Sequence, residues 1–431
     1  MSSDLRSKTG KALVWDLFGN YGGQVIGFAL SIFLARLLEP AEFGLVGMSM
    51  VFIALVQVFM DMGFASALIQ AKEEETTSLT YSSIFYLNIF AGTVLTLLLY
   101  FAAPLIGNFY EEEQVTNLVR LLSIVFFIGS FNIVQSTILR KELNFKILTL
   151  RTLVSQFIAG VVAVYLAWEG YGVYALVIQQ ILSAVIRTAL LWKITNWYPK
   201  WEFSIMEVKK LTGFSAYVFA GQAMNQLLTR ADTLMVGKLF SPATLGFYSR
   251  ANSFNNLIIK NSVSSITKVF FPALSSLQDE EKRFVAIYLK TVELVAGIAI
   301  FLTGVFYLAG QELIIGLFGE KWEPSVLMFE ILIIKGFTYP ISSMIVNVFM
   351  AKGKSKENFH YGNIRKALRL VPFAIAYFYG FYPFLYSLVA VSLLNWILNN
   401  FFVSRTLKIS FVNQFKAVLP NLLYAGILVL I

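Results

Sequence analysis

The sequence predicts an all-α polytopic membrane protein, built as two parallel six-helix lobes around a central cavity and followed by part of a thirteenth helix. Three observations carry this. Apolar runs of roughly 20 residues or more recur along the chain, the length a helix needs to cross hydrocarbon while satisfying its own backbone. Of the 431 residues 57% are hydrophobic and 14% charged, with mean hydropathy +0.70, whereas a soluble chain carries about a quarter charged residues. Finally, one segment of the first half returns in the second.

Taken in order, the first lobe covers 1–200, with helices near 11–38, 43–70, 79–107, 114–136, 147–168 and 171–194. The second covers 201–410, with helices near 206–239, 243–276, 283–309, 324–350, 363–380 and 382–405. Residues 411–431 read as the start of a thirteenth helix, expected to be incomplete because the chain stops within it. The basic start (Arg6, Lys8, Lys11) runs into a long segment holding Asp16 without a small-residue cleavage site. That is the pattern of an uncleaved first membrane helix rather than a signal peptide.

The loops set an orientation. With the N-terminus inside, about two dozen Lys and Arg residues fall on inner segments and about four outside, a positive-inside bias. Inner clusters include Arg140, Lys141, Lys146 and Arg151, and Lys352, Lys354 and Lys356; the outer side shows the acidic run Glu111-Glu112-Glu113. Trp168, Trp192, Trp197, Trp201 and Trp322 fall at helix ends, as an interfacial aromatic belt requires. The net charge of +9 is thus spent on orientation, and nucleic acid is not an expected partner.

The repeat is Leu34-Ala35-Arg36-Leu37-Leu38-Glu39-Pro40-Ala41-Glu42-Phe43-Gly44 against Val236-Gly237-Lys238-Leu239-Phe240-Ser241-Pro242-Ala243-Thr244-Leu245-Gly246. The same shift maps Asn20 onto Gln222 and Gln24 onto Gln226. An even number of helices separates the copies, so the lobes are parallel, as in one class of secondary transporter.

The second lobe carries Arg230, Arg250, Lys260, Lys268 and Lys335 within apolar helices, with Asp232 beside Arg230. A cation at the bilayer centre costs roughly 2.5–3.5 kcal/mol. At 1.5 Å per residue, Arg230 lies roughly 12 Å below the outer surface and Arg250 about as deep, while Lys260 and Lys335 fall nearest the midplane. Lys268 shares a helix face with Arg250. Snorkelling and an Arg230–Asp232 pair would account for some of these charges. A water-filled cavity that binds an anion accounts for all five, and arginine's planar fork suits a pyrophosphate. Asp16, Asp61 and Arg187 lie in the inner third of the first lobe and read either as an ion pair with a leftover carboxylate or as a proton or sodium coupling site. Asp232 and Glu293 are further candidates for ion coupling. Gly19, Gly23 and Gly27 form a small face suited to close helix packing.

Leu34–Gly44, Asp61-Met62-Gly63-Phe64, Leu139–Lys146, Arg230–Lys238, Leu245–Ala251 and Phe270–Ser275 resemble the polysaccharide transporter family of the multidrug/oligosaccharidyl-lipid/polysaccharide exporter superfamily. That family includes O-antigen, colanic-acid and teichuronic-acid flippases. The resemblance spans essentially the whole chain. It implies fourteen helices, a bacterial inner-membrane location, and translocation of undecaprenyl-pyrophosphate-linked oligosaccharide to the outer leaflet by alternating access. Lipid-linked oligosaccharide and membrane lipids are the implied partners, with glycan-polymerising machinery as a further one. No cofactor is expected beyond a coupling H+ or Na+, since no nucleotide-binding glycine loop or clustered metal ligands occur and there is no cysteine. Two alternatives stand beside this. A multidrug exporter of the same superfamily would favour an acidic cavity. A membrane glycan polymerase or ligase would need a large catalytic outer loop, which is missing, so an enzyme is not expected.

Overall fold

The computed structural model describes the backbone of residues 3–72 and 76–430, and their side chains except at 3–7, 61, 257–269, 417 and 422–430. The chain is 87% helical, with no strand among the described residues. The helices are α1 (Ser3–Leu37), α2 (Pro40–Asp61), α3 (Phe64–Gln70), α4 (Ser78–Tyr110), α5 (Glu113–Ser130), α6 (Ile133–Lys141), α7 (Phe145–Trp168), α8 (Val173–Ile194), α9 (Ile205–Leu239), α10 (Pro242–Ser275), α11 (Glu281–Leu308), α12 (Gly310–Phe318), α13 (Pro324–Ile334), α14 (Thr338–Ala351), α15 (Ser355–Leu368), α16 (Val371–Tyr379), α17 (Phe381–Leu407) and α18 (Phe411–Leu430).

Among the described residues eight helical segments are long and apolar enough to cross a membrane, and nine if α5 and α6 form one span. Several helices expected to be continuous are broken. Met62 (φ 49°) and Gly63 (φ 81°) separate α2 from α3. A side chain at Gly63 would come within 2.5 Å of the Ser215 carbonyl oxygen, so α9 is the reason for the glycine. The expected 114–136 helix bends by 47° between α5 and α6. Carbonyls near that bend are taken by Thr188 Oγ1, donating to Ile128 O at 3.3 Å, and Trp192 Nε1, donating to Phe131 O at 3.0 Å. Such side-chain replacements make a broken helix tolerable where water is absent. The expected 324–350 helix parts at Lys335, whose carbonyl accepts from both the backbone N–H and the hydroxyl of Thr338.

The chain divides into two compact units, Met1–Gly246 and Phe247–Ile431. In the first, α4 lies along α5, α7 lies between α1 and α8, and α9 lies on α2, α3 and α4. One core cluster joins Leu34 of α1 and Leu38 just beyond its end to Ala163 and Ala167 of α7 and Ala175 and Leu176 of α8. A second joins Phe64, Leu68, Phe85 and Val208, with Trp192 and Trp197 packed on it. The α8–α9 connection is stitched to the start of α4: the Lys200 N–H donates to Ser82 Oγ at 3.0 Å and the Ser204 N–H to Ser83 Oγ at 2.9 Å.

The repeated segment forms two helix–corner–helix turns, α1 to α2 and α9 to α10, each with proline opening the second helix. The two turns meet reciprocally. A Cβ on Gly44 would lie 1.8 Å from the Pro242 carbonyl oxygen, and one on Gly246 would lie 1.9 Å from that of Pro40. Each copy's glycine thus receives the other copy's first helical turn, backbone against backbone.

Lys141 holds another junction. Its ammonium donates to the carbonyls of Leu68 at 3.1 Å and Ala71 at 2.9 Å and to Thr76 Oγ1 at 3.0 Å. It thereby satisfies and neutralises the negative C-terminal end of α3. Lys141→Met is expected to cost about 1.5–3 kcal/mol, the range for a hydrogen bond to a charged group, read as a lower melting temperature of the solubilised protein.

In the second unit α11, α14, α17 and α18 enclose a core of Phe284, Tyr288, Val292, Met344, Ile345, Trp396 and Val418. The Tyr288 hydroxyl donates to Gln414 Oε1 at 2.9 Å, and the Gln414 amide donates to the Asn400 carbonyl at 2.9 Å. The segment expected as a partial thirteenth helix is therefore anchored here as α18.

Candidate translocation face

An arginine placed within a bundle of spanning helices needs an anionic partner, water or a ligand. Helix α9, expected as a span, is not among the candidate spans despite its 35 residues. The reason is a polar stripe: Gln222, Asn225, Gln226, Thr229, Arg230 and Thr233 recur at helical spacing along one face. Gln222, Asn225 and Thr229 are exposed, Gln226 and Arg230 half-buried. A polar stripe of this kind does not belong against lipid tails; it marks a surface meant for water or a polar ligand.

Arg230 stands on this face with its Nε buried and without a hydrogen-bond partner. Asp232 is half-buried on the same helix, six residues beyond Gln226. On α1, the repeat-related positions continue the theme. Asp16 and Asn20 are exposed and Gln24 half-buried, and Asn20 Nδ2 donates to Asp16 Oδ2 at 3.1 Å. Both Asp16 and Arg230 thus lie in the first unit, on helices related by the repeat.

The other expected site residues are dispersed. Arg250 belongs to the second unit, where its guanidinium lies 4.8 Å from the Phe318 ring centre and 5.1 Å from that of Trp322. Cation–π attraction holds it there. Trp322, expected in the interfacial belt, is instead fully buried beneath Arg250; Trp168, at 70% exposure, fits the belt. Lys335 is half-buried at the α13–α14 break. Glu293 is exposed on α11, and its backbone carbonyl accepts from Asn421. The side chains of Asp61, Lys260 and Lys268 lie outside the described residues.

Two features escape a reading based on charge and hydropathy. Polar uncharged residues on α7 and α8 enclose a cavity beside Arg187, and Lys141 grips the end of α3. The first could have been found from Thr, Ser and Gln residues recurring at three- and four-residue spacing on successive helices.

A family model described as polysaccharide biosynthesis protein matches residues 33–327. The teichuronic acid biosynthesis protein TuaB of Bacillus subtilis (strain 168) is 25% identical over 403 residues, which cover 93% of this chain and 82% of TuaB. The lipopolysaccharide biosynthesis protein WzxC of Escherichia coli (strain K12) is 25% identical over 374 residues, covering 85% of this chain and 75% of WzxC. Among solved structures, the lipid II flippase MurJ in an inward closed conformation superposes with TM-score 0.74 at 14% identity, covering 96% of this chain and 92% of MurJ. An inward-facing multidrug resistance MATE family transporter of the MOP superfamily gives TM-score 0.69 at 14% identity, covering 90% of this chain and 95% of the transporter. The all-α, polytopic transporter fold expected from the sequence is the one observed.

Proposed function

Since the chain belongs to the polysaccharide biosynthesis protein family, we propose that it is a flippase for polyprenyl-pyrophosphate-linked oligosaccharide, moving a repeat unit between leaflets by alternating access. The observation that carries this reading is the polar face of α9, with Arg230 unpartnered at Nε in a helix that lies among apolar spanning helices. Amides and hydroxyls there suit a hydroxyl-rich glycan, and a guanidinium suits its pyrophosphate. Arg250, Lys260, Lys268 and Lys335 are proposed separately as anion contacts of the second unit. We place the protein in a bacterial cytoplasmic membrane with its N-terminus inside, on the loop charges, and take glycan-polymerising machinery as a candidate partner.

The test is genetic and chemical together. Removing the protein should cause lipid-linked glycan to accumulate on the inner leaflet, and restoring it should clear that pool. An unchanged inner-leaflet pool with normal glycan export would sink the reading.

The exposed Asp16 supports coupling to a proton or sodium gradient. Asp16→Asn is expected to abolish the dependence of transport on pH or sodium while substrate still binds. An unchanged response to both gradients would leave Asp16 a structural partner of Asn20. A multidrug exporter is the weaker reading, because the one charge on the α9 stripe, Arg230, favours an anion over cationic drugs.

A further inference from the structure

Helices α7 and α8 line a cavity of about 230 Å³ whose wall includes Arg187, named above with Asp16 and Asp61. Thr152 and Gln156 line it from α7, and Gln179, Gln180, Ser183 and Arg187 from α8. The spacing puts each set on one face of its helix, so two apolar spans turn polar stripes toward each other. Arg187 Nε donates to the Ser183 carbonyl at 3.2 Å, and no described residue accepts from its two terminal nitrogens. Arg151, one residue before the α7 stripe, donates to Ser136 Oγ at 3.0 Å, and its Nε is buried without a partner. Arg140 and Arg187 lie near enough for their charges to act on Arg151. No carboxylate among the described residues pairs with any of the three.

Charge repulsion acts on Arg151 from both neighbours, and the neutral polar wall around Arg187 supplies no counter-charge. An anion would relieve that repulsion. Planar guanidinium forks select oxyanions of phosphorus, while the amides and hydroxyls beside them match sugar hydroxyls. We propose that this cavity is a binding site for a phosphate-bearing, hydroxyl-rich headgroup, with Arg187 on the phosphate oxygens and the glutamines on the adjoining sugar. Naming that headgroup as the pyrophosphate-linked sugar of the cargo rests on the flippase reading; the anion site itself does not. By this assignment the first unit carries a second anion-contacting site, in addition to the α9 face that bears Arg230.

The chain contains no cysteine, so Ser183→Cys places a single thiol in the cavity wall while keeping the Ser183 carbonyl that holds Arg187. In phosphatidylcholine nanodiscs, inorganic pyrophosphate should slow modification of this thiol by a methanethiosulfonate reagent. Adding Arg187→Gln should raise the half-protecting concentration about tenfold, what one charge-assisted hydrogen bond contributes. Arg187→Lys, which keeps the charge without the fork, should fall between and serves where the glutamine variant is not recovered folded. No protection, or equal protection with and without Arg187, overturns the proposal. Protection by phosphatidylglycerol nanodiscs with which pyrophosphate does not compete would assign the cavity to bulk phospholipid and overturn it too. Pyrophosphate protection in a protein that fails to restore glycan export would remove the flippase reading and leave the anion site standing.

Discussion

Gly44→Ala is expected to lower stability by about 3 kcal/mol or more, at or beyond the top of the range for overpacking, and to abolish glycan export. The added Cβ would sit 1.8 Å from the Pro242 carbonyl oxygen, an atom of a helix's first turn that cannot swing aside as a side chain would. Gly246→Ala should be as severe, because its Cβ would meet the Pro40 carbonyl at 1.9 Å. Either substitution pushes the two turns apart, so the double variant should cost less than the sum, with a coupling of about 0.5–3 kcal/mol in a double-mutant cycle. Gly316→Ala is the control: nothing lies within 4 Å of its Cβ position in α12. There the change should be neutral or stabilising by roughly 0.5–1 kcal/mol, through helix propensity alone. Thermal unfolding of the solubilised proteins decides the matter. Gly44→Ala with an unchanged melting temperature would mean that the corners are not in close contact.

This pair of corners shows what the sequence could and could not express. The recurrence of the Leu34–Gly44 pattern at Val236–Gly246 is visible in the letters, and it raises the expectation of parallel halves. That the two copies touch, each glycine receiving the other's proline turn, is a relation between segments far apart in the chain and has no local signature. The helix breaks were hidden for a related reason. Apolarity averaged along 43–70 or 324–350 is blind to a left-handed Met62-Gly63 pair or to a carbonyl at Lys335 turned to Thr338. Among site residues, depth along a helix singles out Arg230, which stands half-buried on the polar face of α9. Depth is silent about azimuth, however, so Arg250 looks equivalent in the sequence although aromatic rings of Phe318 and Trp322 surround it. A search for charges also passes over the α7–α8 cavity, since most of its wall is uncharged.

Arg230 is where stability and transport should part most clearly. An arginine retained for structure would be expected to have its donors satisfied, and replacing it would leave acceptors stranded. Here Nε is buried without a partner, on a face otherwise made of exposed and half-buried amides and hydroxyls. Removing an incompletely satisfied charge and filling its volume with an unbranched apolar chain is often neutral or stabilising. Arg230→Met is therefore expected to insert at normal levels and melt no lower than the parent, yet fail to support glycan export. Arg230→Lys keeps the charge but presents a point cation in place of a planar fork, so bidentate contact with phosphate oxygens is lost. It should retain partial export, roughly tenfold reduced if one charge-assisted hydrogen bond is forfeited. The order parent, Lys, Met in export, set against unchanged order in melting temperature, is the signature of a ligand-facing arginine. Full export by Arg230→Met at matched membrane levels would make Arg230 a bystander on the α9 face and return the pyrophosphate to other residues. A melting temperature that falls in step with export would instead make Arg230 a structural element of the first unit.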